Sequence, residues 1–240
     1  MRLTKHHGLG NDFLVLLGAA GDPGLARALC DRRRGVGADG LIGCTRPDGV
    51  PVMRLWNADG SEAEMSGNGI RCLAQALVDA GWATEGEVRI ATAAGRRTVW
   101  VEPESRPGLR MVRVDMGPVT VRPDGLVDVG NPHEVVLVDA PDALAGAVDP
   151  GRPDRNVELV AVGPGPDELR LRVFERGVGE TPACGTGAVA AAFVAHRRGL
   201  VGPRVTVHQP GGDVVIELGP EGALLTGPAE RIAAIEVDRP

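Results

Sequence analysis

Along most of the chain, hydrophobic and polar positions alternate with the period of strands, and twice the alternation gives way to a helical period. The runs VMRLWN (52–57) and RLRVFE (170–175) predict strands that end in glycine-containing loops. After each loop come a Gly-x-Gly and a helical segment, IRCLAQALVDAGW from Ile70 and AVAAAFVAHRRG from Ala188. Ile70, Leu73, Ala74 and Leu77 mark one face of the first helix; Val189, Ala192, Phe193 and His196 mark its counterpart. Gly81 and Gly199 are placed to stop the two helices. Further on, RVTVHQPGGDVVIEL (204–218) alternates on both sides of a Pro-Gly-Gly, which predicts a hairpin. Strands around one central helix, given twice, predict an α+β fold.

The repetition extends along the chain. RLWNADGSEAEMSGNG from Arg54 aligns without gaps to RVFERGVGETPACGTG from Arg172, an offset of 118 that puts Ser66 on Cys184. An offset of 120 puts Gly10-Asn11 on Gly130-Asn131, and one of 117 puts VRIATAAG from Val88 on VTVHQPGG from Val205. MGP at 116–118 resembles TGP at 226–228. Matches in one order at a nearly constant offset predict two similar domains of roughly 110 residues. Their expected limits are 1–115, completed by 229–240, and 116–228.

Composition narrows the chemistry. A net charge of −6 offers no electrostatic footprint for nucleic acid or an anionic membrane. Arg32, Arg33 and Arg34 are a local exception, expected to be a solvated face near a helix end. No stretch approaches the roughly 20 apolar residues of a membrane span. The start, MRLTKHHGLGNDF, lacks the apolar core of a signal peptide, so a cytoplasmic location is expected. The four cysteines, at 30, 44, 72 and 184, have neither C-x-x-C spacing nor a neighbouring ligand cluster, which argues against a disulfide framework or a metal site. Lys5 is the only lysine available for a pyridoxal-phosphate Schiff base, and no nucleotide-binding glycine motif is present. The expectation is an enzyme working with its own side chains and no cofactor.

The two helix starts are the chemically suggestive places. Unpaired N–H groups and about half a positive charge at a helix N-terminus hold carboxylates and favour a thiolate. On that ground Cys184 is expected to be the reactive thiol, with its pKa lowered, while Cys30, Cys44 and Cys72 are buried thiols. A proton carrier at each of two facing helix starts would suit inversion at a carbon that bears a proton. Two bland alternatives stand beside this: simple strand-to-helix turns, or a module that binds an amino acid without chemistry.

HGLGNDF (7–13), RRRGVGADGL (32–41), NADGSEAEMSGNGIR (57–71), GNPH (130–133), ERGVGETPACGTG (175–187) and PGG (210–212) resemble the diaminopimelate epimerase family. The resemblance implies two α+β domains, each with strands wrapped around a central helix, with the site in the cleft between them. It also implies a cofactor-independent isomerase that interconverts LL- and meso-diaminopimelate through two cysteines. Cys184 matches the second of these, and Ser66 stands at the position of the first. His133 and Glu175 match residues that assist proton transfer. Asn11, Asn57, Asn131, Asn156 and Arg176 match substrate-binding positions, with Arg176 directed at a distal carboxylate. Gly67-Asn68 and Gly185-Thr186 supply amides around the α-carboxylate. Asn11 and Asn131 could instead be turn formers, and His133 could brace a turn. The stretch between MGP and GNPH is shorter than the family usually carries, so a strand or hairpin is expected to be missing there. Ser66 and this shortening leave open a racemase for another amino acid, for example histidine, or a non-catalytic paralogue. Assembly as a homodimer is also left open.

Overall fold

The computed structural model describes residues 1–139, 144, 146, 148–176 and 178–238. The chain divides into two compact units, Met1–Val114 with Pro228–Pro240, and Asp115–Gly227. The first contains β1 (Arg2–Gly8), β2 (Asn11–Leu17), α1 (Pro23–Cys30), β3 (Gly40–Thr45), β4 (Val52–Asn57), β5 (Glu62–Ala63), α2 (Gly67–Asp79), β6 (Gly86–Thr92) and β7 (Gly95–Val101). The strand β8 (Leu109–Gly117) runs across the boundary. The second contains β9 (Thr120–Val121), β10 (Val127–Asp128), β11 (Pro132–Leu137), β12 (Asn156–Val162), β13 (Glu168–Glu175), β14 (Gly179–Thr181), α3 (Gly185–Arg197), β15 (Arg204–Gln209) and β16 (Gly212–Gly219). The last strand, β17 (Gly222–Glu236), again spans the boundary.

The units repeat one another pairing by pairing. In the first, β1 and β2 are antiparallel, β2 and β3 parallel, and β3 and β4 antiparallel; β4 then pairs with β5 antiparallel and β6 parallel, and β6 with β7 antiparallel. The second has the same sequence of senses from β10 through β11, β12, β13, β14 and β15 to β16. In the first unit, β7 continues to β8, the end of β17 returns along β1, and the Arg231 N–H donates to the Gly108 carbonyl. The α+β reading of the alternation therefore holds, with few helices in a strand-rich chain.

The helices are less amphipathic than the sequence pattern suggests, because strands surround them. Every residue of α2 from Gly67 to Leu77 is buried, and so is every residue of α3 from Gly185 to Ala192. The expected face of α2 lies in the core with Leu14, Leu41, Ile42 and Ile90; each such side chain contributes about 1.5–3 kcal/mol by leaving water. On α3 the expected face fails at its far end, where Phe193 is half-buried and His196 exposed. The last turn emerges from the strands there, and Ala195 is its buried residue. Both helices stop as expected. Gly81 (φ 69) and Gly199 (φ 70) take left-handed conformations, and paired bonds close each end: Trp82 N–H to Leu77 O with Gly81 N–H to Val78 O, and Leu200 N–H to Ala195 O with Gly199 N–H to His196 O.

A short hairpin occupies the stretch before GNPH, two residues per strand, with Val121 opposite Val127 and Thr120 opposite Asp128. Asn11 is not the turn former of its hairpin; Leu9 (φ 57) and Gly10 (φ 86) take the left-handed positions, and Asn11 opens β2. Arg32, Arg33 and Arg34 are exposed just past the end of α1, as expected, and Arg32 is also tied to two carboxylates. Arg32 donates to Asp12 Oδ1 at 2.7 Å and to Asp39 Oδ1 at 2.8 Å, while Lys5 Nζ lies 2.9 Å from Asp12 Oδ2.

Burial disfavours the charged form of Asp12, but Arg32 and Lys5 outweigh it and hold the carboxyl at about 2, below its usual value. Stability from a depressed acid is present above the unfolded pKa and is lost as pH falls through the folded one. Asp12→Asn should therefore cost about 2 kcal/mol at neutral pH and much less near pH 2. Urea denaturation of both chains at the two pH values checks this. Among the described residues, no helix is long and apolar enough to cross a membrane.

Candidate active site

Ser66 and Cys184 occupy the same structural position. Each follows a strand, a loop and a short return strand, β4–β5 or β13–β14, and each caps a helix of 13 residues. Both caps are extended, with φ −142, ψ 122 at Ser66 and φ −128, ψ 117 at Cys184. Ser66 Oγ accepts the Gly69 N–H at 3.0 Å, and Cys184 Sγ accepts the Gly187 N–H at 3.4 Å. Gly67-Asn68 and Gly185-Thr186 form the first turns, where no helical carbonyl can satisfy the N–H groups. The arrangement can bind an anion, and the backbone supplies it in both units.

The surroundings of the caps differ. Cys184 is buried at 6% exposure, its N–H donates to Gln209 Oε1 at 2.8 Å, and its sulfur lies 3.4 Å from Thr186 Oγ1. Burial, followed by the charges of Glu175 and Glu158, pushes its thiol well above the usual range. This overturns the expectation of a lowered pKa: the helix start does contribute, through Gly187, but desolvation and two carboxylates outweigh it. Burial also raises the Glu175 carboxyl, although Thr181 donates to it at 2.5 Å. A thiol kept protonated beside a carboxylate able to take its proton is a general acid that becomes a base by local transfer.

The other thiols are held high mainly by burial, Cys30 and Cys72 at about 12 and Cys44 at about 11. All four are free and buried. Alkylation of the folded chain should therefore be slow throughout at neutral pH, with Cys184, the most exposed of them, labelled first and faster as pH rises. Mass mapping of iodoacetamide adducts at two pH values checks the order; rapid labelling of Cys184 at neutral pH would contradict it.

His133 is fully buried on β11. Its Nδ1 lies 2.6 Å from Glu158 Oε1 and its Nε2 2.8 Å from Asn131 Oδ1. Asn131 thus serves the histidine rather than only a turn. Asn156, buried at the start of β12 beside His133, accepts the Arg176 backbone N–H at 2.9 Å. The Arg176 side chain is exposed and makes no ion pair among the described residues, which leaves its guanidinium able to meet a carboxylate. The second unit therefore gathers Asn131, His133, Asn156, Glu175, Arg176, Cys184, Gly185 and Thr186.

In the first unit, Asn68 Nδ2 donates to Asn11 Oδ1 at 3.2 Å, and Asn11 Nδ2 donates to Asp39 Oδ2 at 2.8 Å. Asn57 is exposed at the end of β4, and its Nδ2 donates to Ser61 Oγ at 2.9 Å, bracing the loop that leads to Ser66. Arg71, fully buried, donates to Asn68 Oδ1, the Gly67 carbonyl and the Pro228 carbonyl; burial brings it down to about 10. Arg71, Glu158, Gln209 and Thr181 were not picked out from the sequence. For Glu158 a signal existed, a lone acid inside the apolar run NVELVAV.

The sequence model of diaminopimelate epimerase matches residues 3–122 and 125–232. The chain belongs to this family. It is 41% identical over 276 residues to a diaminopimelate epimerase of Pelotomaculum thermopropionicum, covering 97% of each chain. It is 42% identical over 281 residues to one of Halorhodospira halophila, covering all of this chain and 96% of the other. The fold is similar to that of a PhzF-family phenazine biosynthesis protein of Bacillus anthracis, with a TM-score of 0.76 at 15% identity over 99% and 98% of the two chains. It is also similar to a probable proline racemase of Agrobacterium radiobacter, with a TM-score of 0.72 at 19% identity over 98% and 92%.

Proposed function

We propose that this chain is an isomerase that moves the α-proton of diaminopimelate between the LL and meso forms, with Cys184 as one proton carrier. The observation that carries this is the capped helix start at Cys184, where thiol, Glu175 and first-turn amides meet. Glu175 takes the thiol's proton, the thiolate removes the α-proton, and the Gly185-Thr186 amides hold the carboxylate as negative charge grows beside it. Arg176 takes the distal carboxylate. Lys5, bound to the Gly37 carbonyl and Asp12, is committed to structure, in keeping with chemistry done by the chain's own acids and thiol.

Ser66 favours a second reading. An alcohol is far harder to deprotonate than a thiol, so the chain inverts diaminopimelate poorly or acts on another amino acid. A panel of amino acids in heavy water, read for both α-proton exchange and inversion, separates these cases. Binding without exchange of any of them would leave only a non-catalytic binder.

A further inference from the structure

The duplicated fold allows a comparison of what each unit puts in the same place. Parallel register pairs Val15 with Ile42 in the first unit and Val135 with Glu158 in the second. Two residues earlier on each strand, the register pairs Phe13 with Gly40 and His133 with Asn156. A methyl group on Gly69 would meet Ile42 Cδ1 at 3.4 Å, and one on Gly187 would meet Glu158 Oε1 at 2.7 Å. Phe13 and Ile42 of one unit thus occupy the places of His133 and Glu158 in the other. All four are buried.

A buried polar pair is a poor way to stabilise a core that an apolar pair fills elsewhere in the same chain. Well-packed apolar replacements of such pairs are often neutral or stabilising. Glu158 Oε2 adds to the cost, since it is buried with no hydrogen-bond partner among the described residues. Folding alone does not account for this pair.

Its hydrogen bonds show what it does. Asn131 Oδ1 can only accept, so the ring carries a proton on Nε2. The 2.6 Å contact holds a second proton between Nδ1 and Glu158 Oε1. We infer that Glu158 is a positioning residue for proton transfer, which fixes the His133 ring and keeps its Nε2 in the donor state. The inference rests on the reading of His133 as a proton-transfer group. Gly187 is part of the same device, because any side chain there would strike the carboxylate.

The test uses the full chain labelled with 15N-histidine, its ring protons read in ordinary water, and diaminopimelate exchange read in heavy water. The unmodified chain should show a strongly deshielded proton on His133 Nδ1, identified by its absence in His133→Gln. Glu158→Gln should lose that signal and slow α-proton exchange about 10- to 100-fold, with KM changed by less than about twofold. The double variant His133→Phe/Glu158→Ile, which copies the first unit, should fold with a melting temperature no lower than that of the unmodified chain. Exchange by Glu158→Gln at the unmodified rate, retention of the deshielded signal, or failure of the double variant to fold would each overturn the inference. Should the unmodified chain exchange no diaminopimelate proton, the functional reading fails, while the deshielded signal and the folding of the double variant still decide the role of the pair.

Discussion

Ser66→Cys should raise the rate of diaminopimelate inversion by about 10²–10⁴-fold, the usual contribution of one positioned acid or base. Inversion needs a competent carrier on each face of the α-carbon, and a hydroxyl is a weak one. The substitution should be well tolerated, because Cys184 shows that a thiol can cap this helix start, accepting the Gly187 N–H as Ser66 accepts the Gly69 N–H. A cost of about 0.5–1 kcal/mol for the weaker cap is expected. Chiral chromatography of timed incubations gives the rates. An inactive Ser66→Cys chain, together with turnover of another amino acid by the unmodified one, would remove diaminopimelate as the substrate.

Cys184→Ser should abolish α-proton exchange, again by about 10²–10⁴-fold, and leave the fold intact, since Ser66 demonstrates a serine cap in the same setting. The exchange of the two residues, Ser66→Cys with Cys184→Ser, is more informative. It moves the carrier thiol to the position of Ser66, so the isomer whose α-proton exchanges should switch. The switch should be incomplete, because burial and two carboxylates surround position 184 whereas the buried charge near Ser66 is the Arg71 guanidinium, bonded to Gly67 O and Asn68 Oδ1. Proton NMR of LL- and meso-diaminopimelate in heavy water reads the preference directly.

The fold was legible because its signals are local. Alternation marked the strands, Gly-x-Gly marked both helix starts, and Gly81 and Gly199 marked both ends. The offset of 118 between Ser66 and Cys184 became two helices of equal length with matching caps. Helical periodicity was a weaker guide, because a helix enclosed by strands is buried all round and need not show a stripe. The electrostatics of the site were the least legible part. The helix start acts on Cys184 through the local backbone, whereas Glu158 acts on it from β12 and Glu175 from β13. Such neighbours are brought together by pairing across the unit, and no local spacing reports them. The ion pairs of Arg32 are invisible in the sequence for the same reason, its partners Asp12 and Asp39 lying on other segments.

The central claim is that this chain moves an α-proton through Cys184 while Ser66 limits inversion. Incubation of the unmodified chain with LL- and with meso-diaminopimelate in heavy water, followed by proton NMR and chiral separation of the same samples, tests it most directly. The account predicts that one isomer loses its α-proton signal much faster than it inverts, and that Cys184→Ser does neither. Inversion as fast as exchange in the Ser66 chain, or exchange that survives Cys184→Ser, would contradict it.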